Sequence, residues 1–569
     1  ITAWHMMHFL TFLLGVFFLY QLCLQLVDKW AATAGALLFM TQPLLWGHAF
    51  INPKDIPFMT FFLGSVALGV KMVGAFAHIR LPWPHLRKVS GPASSVYLVD
   101  EWRVAASYKK LITILVGGLI CLVGLLLVTA DAQVKAWIHF TVTNAYNAPP
   151  NSNLGSLFAR LAANSRDIPL NAYLVKADLL YPRALGVYFI FALMACALLT
   201  IYLFPKAARQ LWDSHVRPFI VSSFTSLRNG WLLLAGVFLG MTVSIRVLGP
   251  AAGLLVALYF MLQSRLKALP TLLTYVSVAA LTAYLTWPGL WGAPLVNFTA
   301  SLTDASDFPW GGKVMFVGID YLPGQLPRGY LPVLLSLQFT ESALIIFIIG
   351  IIFSFIWFTQ RKLDRNLLLV VALWFLVPFT LFVISQPIAY DNFRHLLFII
   401  PPLFIIAAVG FKGIFTWVKN PIFRFALIAL LVVPGMLKLV ALHPYQYVYY
   451  NGFAGGLSGA FRSYEMDYWA TSYREAAEFV NRVAPPDASV MVWGADHLVS
   501  RYARPDIEVF EYRPKYRDEP HPADYVILST RHNKDLSLYT EAENVFSIGR
   551  QGALFAVVKQ FNTPDSPDP

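Results

Sequence analysis

The chain has 569 residues, of which 57% are hydrophobic and only 13% charged, with a mean hydropathy of +0.59. Ordinary soluble domains carry about 25% charged residues, so this composition excludes a soluble globular protein and indicates an integral membrane protein. The formal net charge of +12 does not point to nucleic acid: up to Leu442 there are 31 Lys/Arg against 14 Asp/Glu, from His443 onward 12 against 17, and the basic excess lies where loop charge orients apolar helices.

The chain starts at Ile1 and is apolar by Phe9 with no signal-peptide charge pattern before that run, so a further N-terminal segment is expected ahead of it. Apolar runs long enough to cross a bilayer number twelve: 5–27, 31–49, 56–78, 111–130, 184–204, 229–245, 250–264, 270–287, 331–358, 367–385, 395–411 and 424–442. The second contains Pro43 and the seventh is short. Cys23, Cys121 and Cys196 all fall inside such runs, which leaves no disulfide framework and no CxxC metal pattern.

Alternate loops differ in basic charge. One set (28–30, 79–110, 205–228, 263–269, 359–366, 411–424) carries 19 Lys/Arg and the other, longer set carries 10, so the first is assigned to the cytoplasm. Ile1, the turn "NPKD" at 52–55, loops 131–183 and 288–330 and the whole tail then face the exoplasmic side. The two long loops, rich in Asn, Pro, Gly and aromatic residues, are expected to hold short interfacial helices and turns.

The tail from His443 reads as a small α/β unit. Ser472 and Glu475 have the spacing of a capping box before a helical run ended by Pro485 and Pro486. "SVMVWG", "DYVILST", "NVFSIG" and "ALFAVVKQ" have strand character, and "NTPDSPDP" reads as disordered. The tail has no GxSxG, HExxH or glycine-rich phosphate loop. The expected organisation is a transmembrane domain over 1–442 and an exoplasmic α/β domain over 443–569.

This topology puts a set of charged side chains at the exoplasmic ends of helices: His48, Lys54 and Asp55, Arg246, and Asp391, Arg394 and His395. Charge at the edge of hydrocarbon is expensive, so such residues are functional candidates. Arginine and lysine there would neutralise a phosphate, and an aspartate could accept a proton or ligate a metal. A lipid phosphate suits the place, because its tail can stay in the bilayer. Plainer roles exist for each: snorkelling for Lys54, an N-cap for Asp55 with Pro57 in the first turn, an i,i+3 pair for Asp391 and Arg394, satisfied helix-end rings for His48 and His395. His5 and His8 share a helix face with no carboxylate nearby in sequence, and the aromatics of "WHMMHF" and "YQYVYY" read as interfacial belt.

The stretch "WAATAGALLFMTQPLLWGHAFINPKDIPFMTFFLGSVAL", with Thr41, Pro43 and Asp55, resembles polyprenol-phosphate-dependent C-type (GT-C) glycosyltransferases, the superfamily of protein O-mannosyltransferases and the lipid A aminoarabinose transferase. "YDNFRHLLFIIPPL", through Arg394, Pro401 and Pro402, is similar to that family's late R-x-L-x-P-x-x-P stretch. The segment from His443 and Pro444 through Tyr450, Asn451, Gly455 and Gly456 to Asp467, Tyr468 and Trp469 resembles the join to the exoplasmic domain of bacterial members. The resemblance runs over nearly the whole chain.

It implies about thirteen helices in the intact protein, twelve of them here, with the main catalytic acid in a first exoplasmic loop ahead of Ile1. It further implies transfer of a sugar, mannose or another hexose or a pentose, from a polyprenyl-phosphate donor to an acceptor hydroxyl on a protein, lipid or glycan, with inversion. Lys54, Arg246 and Arg394 would hold the departing phosphate and Asp55, as a second acid, would orient the acceptor, the sugar or a metal; His48, Asp391 and His395 would support them. The alternatives are a secondary transporter or flippase, for which Lys71 and Glu341 are the main mid-span charges, and a non-catalytic family member.

Overall fold

The computed structural model describes residues 2–77, 108–149, 152, 169–306, 311–322, 324–514 and 523–561. Most of the expected cytoplasmic loop 79–110, much of 150–168 and the tail end 562–569 lie outside the described residues. The chain is predominantly helical. Among the described residues eight helices are long and apolar enough to cross a membrane, or up to ten when bent pairs count as single spans. By packing, the chain divides into two compact units, one of Ile1–Leu81 with Ser223–Pro569 and one of Pro82–Ser222.

In the second unit the helix Leu170–Leu203 pairs with Tyr108–Thr129 and Asp131–Asn147. Tyr188 donates to the carbonyl of Ile120 at 2.6 Å, and His139 Nε2 lies 2.7 Å from Asp178. The run expected at 184–204 is thus the C-terminal part of a 34-residue helix that starts within the predicted loop 131–183.

The first unit is a helix bundle built around Asp55–Ala77, which packs against Thr2–Cys23, Gly230–Ile245 and Pro250–Ser264. Two of the expected spans are broken. The run 31–49 folds as Lys29–Met40 and Pro43–Ile51, bent by 62°, because Pro43 cannot donate into the preceding turn. The run 331–358 folds as Tyr330–Leu337 and Glu341–Thr359. The two breaks satisfy each other: the buried Gln42 amide donates to the carbonyl of Leu38 at 2.7 Å and accepts from the backbone N–H of Thr340 at 3.0 Å. That repairs backbone polarity that hydrocarbon would leave unmet. The run 395–411 begins with a 3₁₀ turn, Arg394–Ile399, and becomes α-helical at Pro401–Phe415, with both prolines in the first turn where no N–H is needed. Helix 401–415 lies so close to 341–359 that a Cβ on Gly350 would meet the carbonyl oxygen of Ile406 at 2.0 Å.

Loop 288–330 holds the helix Pro294–Ser306 and a hairpin of β1 (Val314–Phe316) and β2 (Ile319–Tyr321). The tail carries a five-stranded sheet of β3 (Ser489–Val492), β4 (Glu508–Glu511), β5 (Tyr525–Ser529), β6 (Glu543–Arg550) and β7 (Ala553–Gln560), in the order β4-β3-β5-β7-β6. β3 is parallel to both β4 and β5, whereas β7 is antiparallel to β5 and β6. The four expected strand runs are all strands.

Two expectations for the tail need correction. Ser472 has helical φ/ψ and its hydroxyl donates to Asp467, while Glu475 pairs with Arg550 at 2.6 Å, so the two form no capping box. Tyr445, Tyr447, Tyr449 and Tyr450 are buried rather than belted at an interface. They seat the tail: the helix Pro43–Ile51 approaches so closely that a Cβ on Gly47 would lie 2.2 Å from the backbone nitrogen of Tyr447.

Candidate functional site

The turn 52–55 owes its shape to Asn52. Its side-chain oxygen accepts the backbone N–H of Asp55 at 2.9 Å and of Lys54 at 3.2 Å, which caps the helix Asp55–Ala77. Its amide donates to Asp55 Oδ2 at 2.8 Å. Asp55 is therefore not the cap; its carboxylate is free to face the bundle, and at 2% exposure a buried carboxylate needs partners.

Those partners come from distant segments. Arg246, where the chain leaves Gly230–Ile245, binds Asp55 Oδ1. Arg394, opening the 3₁₀ turn, lies with Nη1 3.2 Å from Asp55 Oδ2. Arg394 also reaches Asp391 through Nε at 3.1 Å, the expected i,i+3 pair. Its guanidinium lies over the rings of Tyr390 and Trp469, with centroids at 5.1 and 5.2 Å. Asp391 and Asn392 both have left-handed backbones, at φ 53° and 58°, which Asp and Asn tolerate better than other residues.

The row continues into the tail. Arg531 donates from Nη2 to Asp391 at 2.9 Å and to Glu465 at 2.8 Å. Arg246, Asp55, Arg394, Asp391, Arg531 and Glu465 thus alternate in sign from the helix ends to the tail sheet. Burial pushes the Glu465 carboxyl above its ordinary range, against the opposing pull of Arg531. Burial alone would pull the Arg531 guanidinium down, but Glu465 and Asp391 outweigh it and hold it above its ordinary value. Asp467 is likewise raised by burial, against hydrogen bonds from Ser472 and Tyr447.

His48 and His395 join the same region in different ways. His48 is buried; its Nδ1 accepts from Asn52 Nδ2 at 3.2 Å, which leaves the proton on Nε2 to meet Tyr468 Oη at 3.0 Å. His395 Nδ1 accepts from Arg246 at 3.3 Å. Three buried nitrogens here have no partner: Arg246 Nε, His395 Nε2 and Trp469 Nε1. All three are donors in this arrangement, whereas at the far end of the row one buried acceptor, Glu465 Oε2, is also without a partner. An unpaired buried donor costs about 1–3 kcal/mol.

Of the seven residues expected at the site, six come together and Lys54 stands apart. It is exposed, and its side chain makes no ion pair among the described residues. Asn52, Glu465 and Arg531 are members that sequence reasoning did not single out. Asn three residues before the aspartate, with Pro between, is a turn signal that points to Asn52; nothing local marks the other two. His5 Nδ1 bonds the carbonyl oxygen of Phe50 at 2.6 Å. Among the described residues no group of three or more His, Cys, Asp or Glu could hold a metal ion.

The two charges expected at mid-span both have partners. Glu341 lies in the first turn of its helix, where it accepts the N–H of Gly452 at 2.6 Å. Lys71 donates to Gln21 at 2.7 Å and lies over the Trp231 ring at 5.1 Å.

No protein family and no curated protein matches the sequence. Among solved structures the chain is similar to ArnT from Cupriavidus metallidurans bound to undecaprenyl phosphate, at 11% identity and a TM-score of 0.37, over 96% of this chain and 82% of that one. It is also similar to the Archaeoglobus fulgidus oligosaccharyltransferase in the apo form, at 13% identity and a TM-score of 0.30, over 91% of this chain and 57% of that one.

Proposed function

We propose that the protein is a membrane glycosyltransferase of the C-type class, moving a sugar from a polyprenyl-phosphate donor to an acceptor hydroxyl on the exoplasmic face, with inversion. The observation that carries this reading is the sharing of one buried carboxylate, Asp55, by Arg246 and Arg394, beside the unpartnered donors Arg246 Nε, His395 Nε2 and Trp469 Nε1. Two guanidiniums and three N–H groups without acceptors form a cradle for a phosphate, and preorganised donors stabilise charge as it develops.

The acceptor hydroxyl oxygen attacks the anomeric carbon and gives up its proton to water, the bond from that carbon to the phosphate oxygen breaks, and the lipid phosphate leaves into the cradle with the bonding electron pair and its negative charge. Arg246 and Arg394 neutralise it, with the exposed Lys54 as an outer cation. Asp55 aims the two guanidiniums and Asp391 steadies the second; His48, through Asn52, holds the turn that aims Asp55. Loop 288–330 covers the acceptor side and excludes water.

The test is transfer from radiolabelled polyprenyl-phosphate sugars by the full-length protein in membranes, against a panel of sugars and acceptors. Asp55→Asn and Arg394→Ala are expected to cut the rate by about 100-fold, the loss typical of a missing charge-stabilising donor. Unchanged transfer in both variants overturns the proposal.

A further inference from the structure

In the tail sheet β3 and β5 are parallel neighbours, and open α/β sheets take ligands at the carboxyl ends of such strands. A cleft of about 400 Å³ opens there, and its volume falls in the range of small-ligand sites. Trp493, the residue after β3, lines one wall, while Arg531, His532 and Lys534, just after β5, line another. Lys313 and Asp320 of the β1–β2 hairpin segment complete it.

The cleft is built. His532 and Asn533 both hold left-handed backbones, at φ 54°, a costly conformation for two successive non-glycine residues. They stay so because Arg462 clamps the segment, donating to Asn533 at 2.5 Å and to Asp535 at 2.6 Å, while His532 Nδ1 lies 2.7 Å from Asp320. Arg531 is fixed by Glu465 and Asp391 through Nε and Nη2, and its Nη1 has no hydrogen-bond partner among the described residues. Lys313 and Lys534 make no ion pair among the described residues, and Asp320, the one carboxylate in the lining, is already engaged by His532.

We propose that this cleft binds the anionic group of an acidic or phosphorylated glycan. Lys313, Lys534 and Arg531 Nη1 supply donors to a phosphate or carboxylate, and the half-buried Trp493 offers its flat apolar face to a sugar ring. Resting on the transferase reading, the glycan is the acceptor, docked on the tail while its hydroxyl reaches the membrane edge.

The experiment is calorimetric titration of the full-length protein in detergent with glucose 1-phosphate, glucuronate, glucose and inorganic phosphate. Glucose 1-phosphate or glucuronate should bind, the stronger naming the anion, and glucose should not. The pair Lys313→Ala with Lys534→Ala should weaken binding at least tenfold. Wild-type affinity in that variant overturns the site, and inorganic phosphate binding as tightly as glucose 1-phosphate overturns the glycan assignment. Because the readout is binding, its failure leaves donor-dependent transfer intact, whereas failure of the transferase reading would show as unchanged transfer in Asp55→Asn.

Discussion

At the scale of single residues, Asp55 illustrates how a carboxylate beside hydrocarbon is made tolerable. Asn52 takes over the cap, which spares Asp55 for two arginines, and Arg246 in turn keeps its Nε–H in reserve. Glu465 is the counterpart in the tail, where burial wins over its arginine. A carboxyl raised on folding binds its proton more tightly in the native state than in the unfolded chain. Stability contributed by Glu465 is therefore present below the ordinary pKa of 4.5 and declines as pH rises through its folded value. Thermal unfolding of wild type should lose melting temperature with increasing pH in that window, and Glu465→Gln should show a shallower slope. Asp467, shifted in the same direction, leaves the variant a residual decline. An identical slope in the variant would contradict this account.

At the scale of elements, hydrophobic runs announced where helices lie, and turn chemistry decided where they stop. Pro43 sat visibly in the second run, yet the bend it imposes is stabilised by Thr340, nearly three hundred residues away, and no local signal reports that partnership. The break after Leu337 is hidden for the same reason: within the run 331–358 the polar Thr340 and Glu341 take their meaning from the distant Gln42 and Gly452. Glycine pairs give a direct check on helix contact. Gly350→Ala should cost about 1–3 kcal/mol, since its Cβ would meet a backbone oxygen that cannot rotate away. Gly74→Ala, where a Cβ meets open space on the helix Asp55–Ala77, should be neutral or stabilising by up to about 1 kcal/mol. Equal unfolding temperatures for the two variants in micelles would refute the packing described here.

At the scale of the whole molecule, the membrane character, the order of apolar helices and the mixed tail could be read from composition and periodicity. Six of the seven site candidates were legible too, because charge at the ends of apolar runs stands out. Arg531 and Glu465 were not, since in a polar tail such residues look like ordinary solvated charges until the fold buries them. Their role can be measured. In a double-mutant cycle on Asp391→Asn and Arg531→Met, unfolding in detergent should give a coupling of about 1–3 kcal/mol, as for members of one buried ionic network. A coupling below about 0.3 kcal/mol would mean that the two act independently.

The alternating row of six charges has a consequence for communication. Every member but the terminal two is shared between neighbours, so an incoming anion that claims part of one guanidinium changes what its adjoining carboxylate can offer to the next. On the proposed reading, a ligand in the phosphate cradle and one in the tail cleft would be linked through Arg394, Asp391 and Arg531, and by thermodynamic reciprocity each would alter the other's affinity by the same factor.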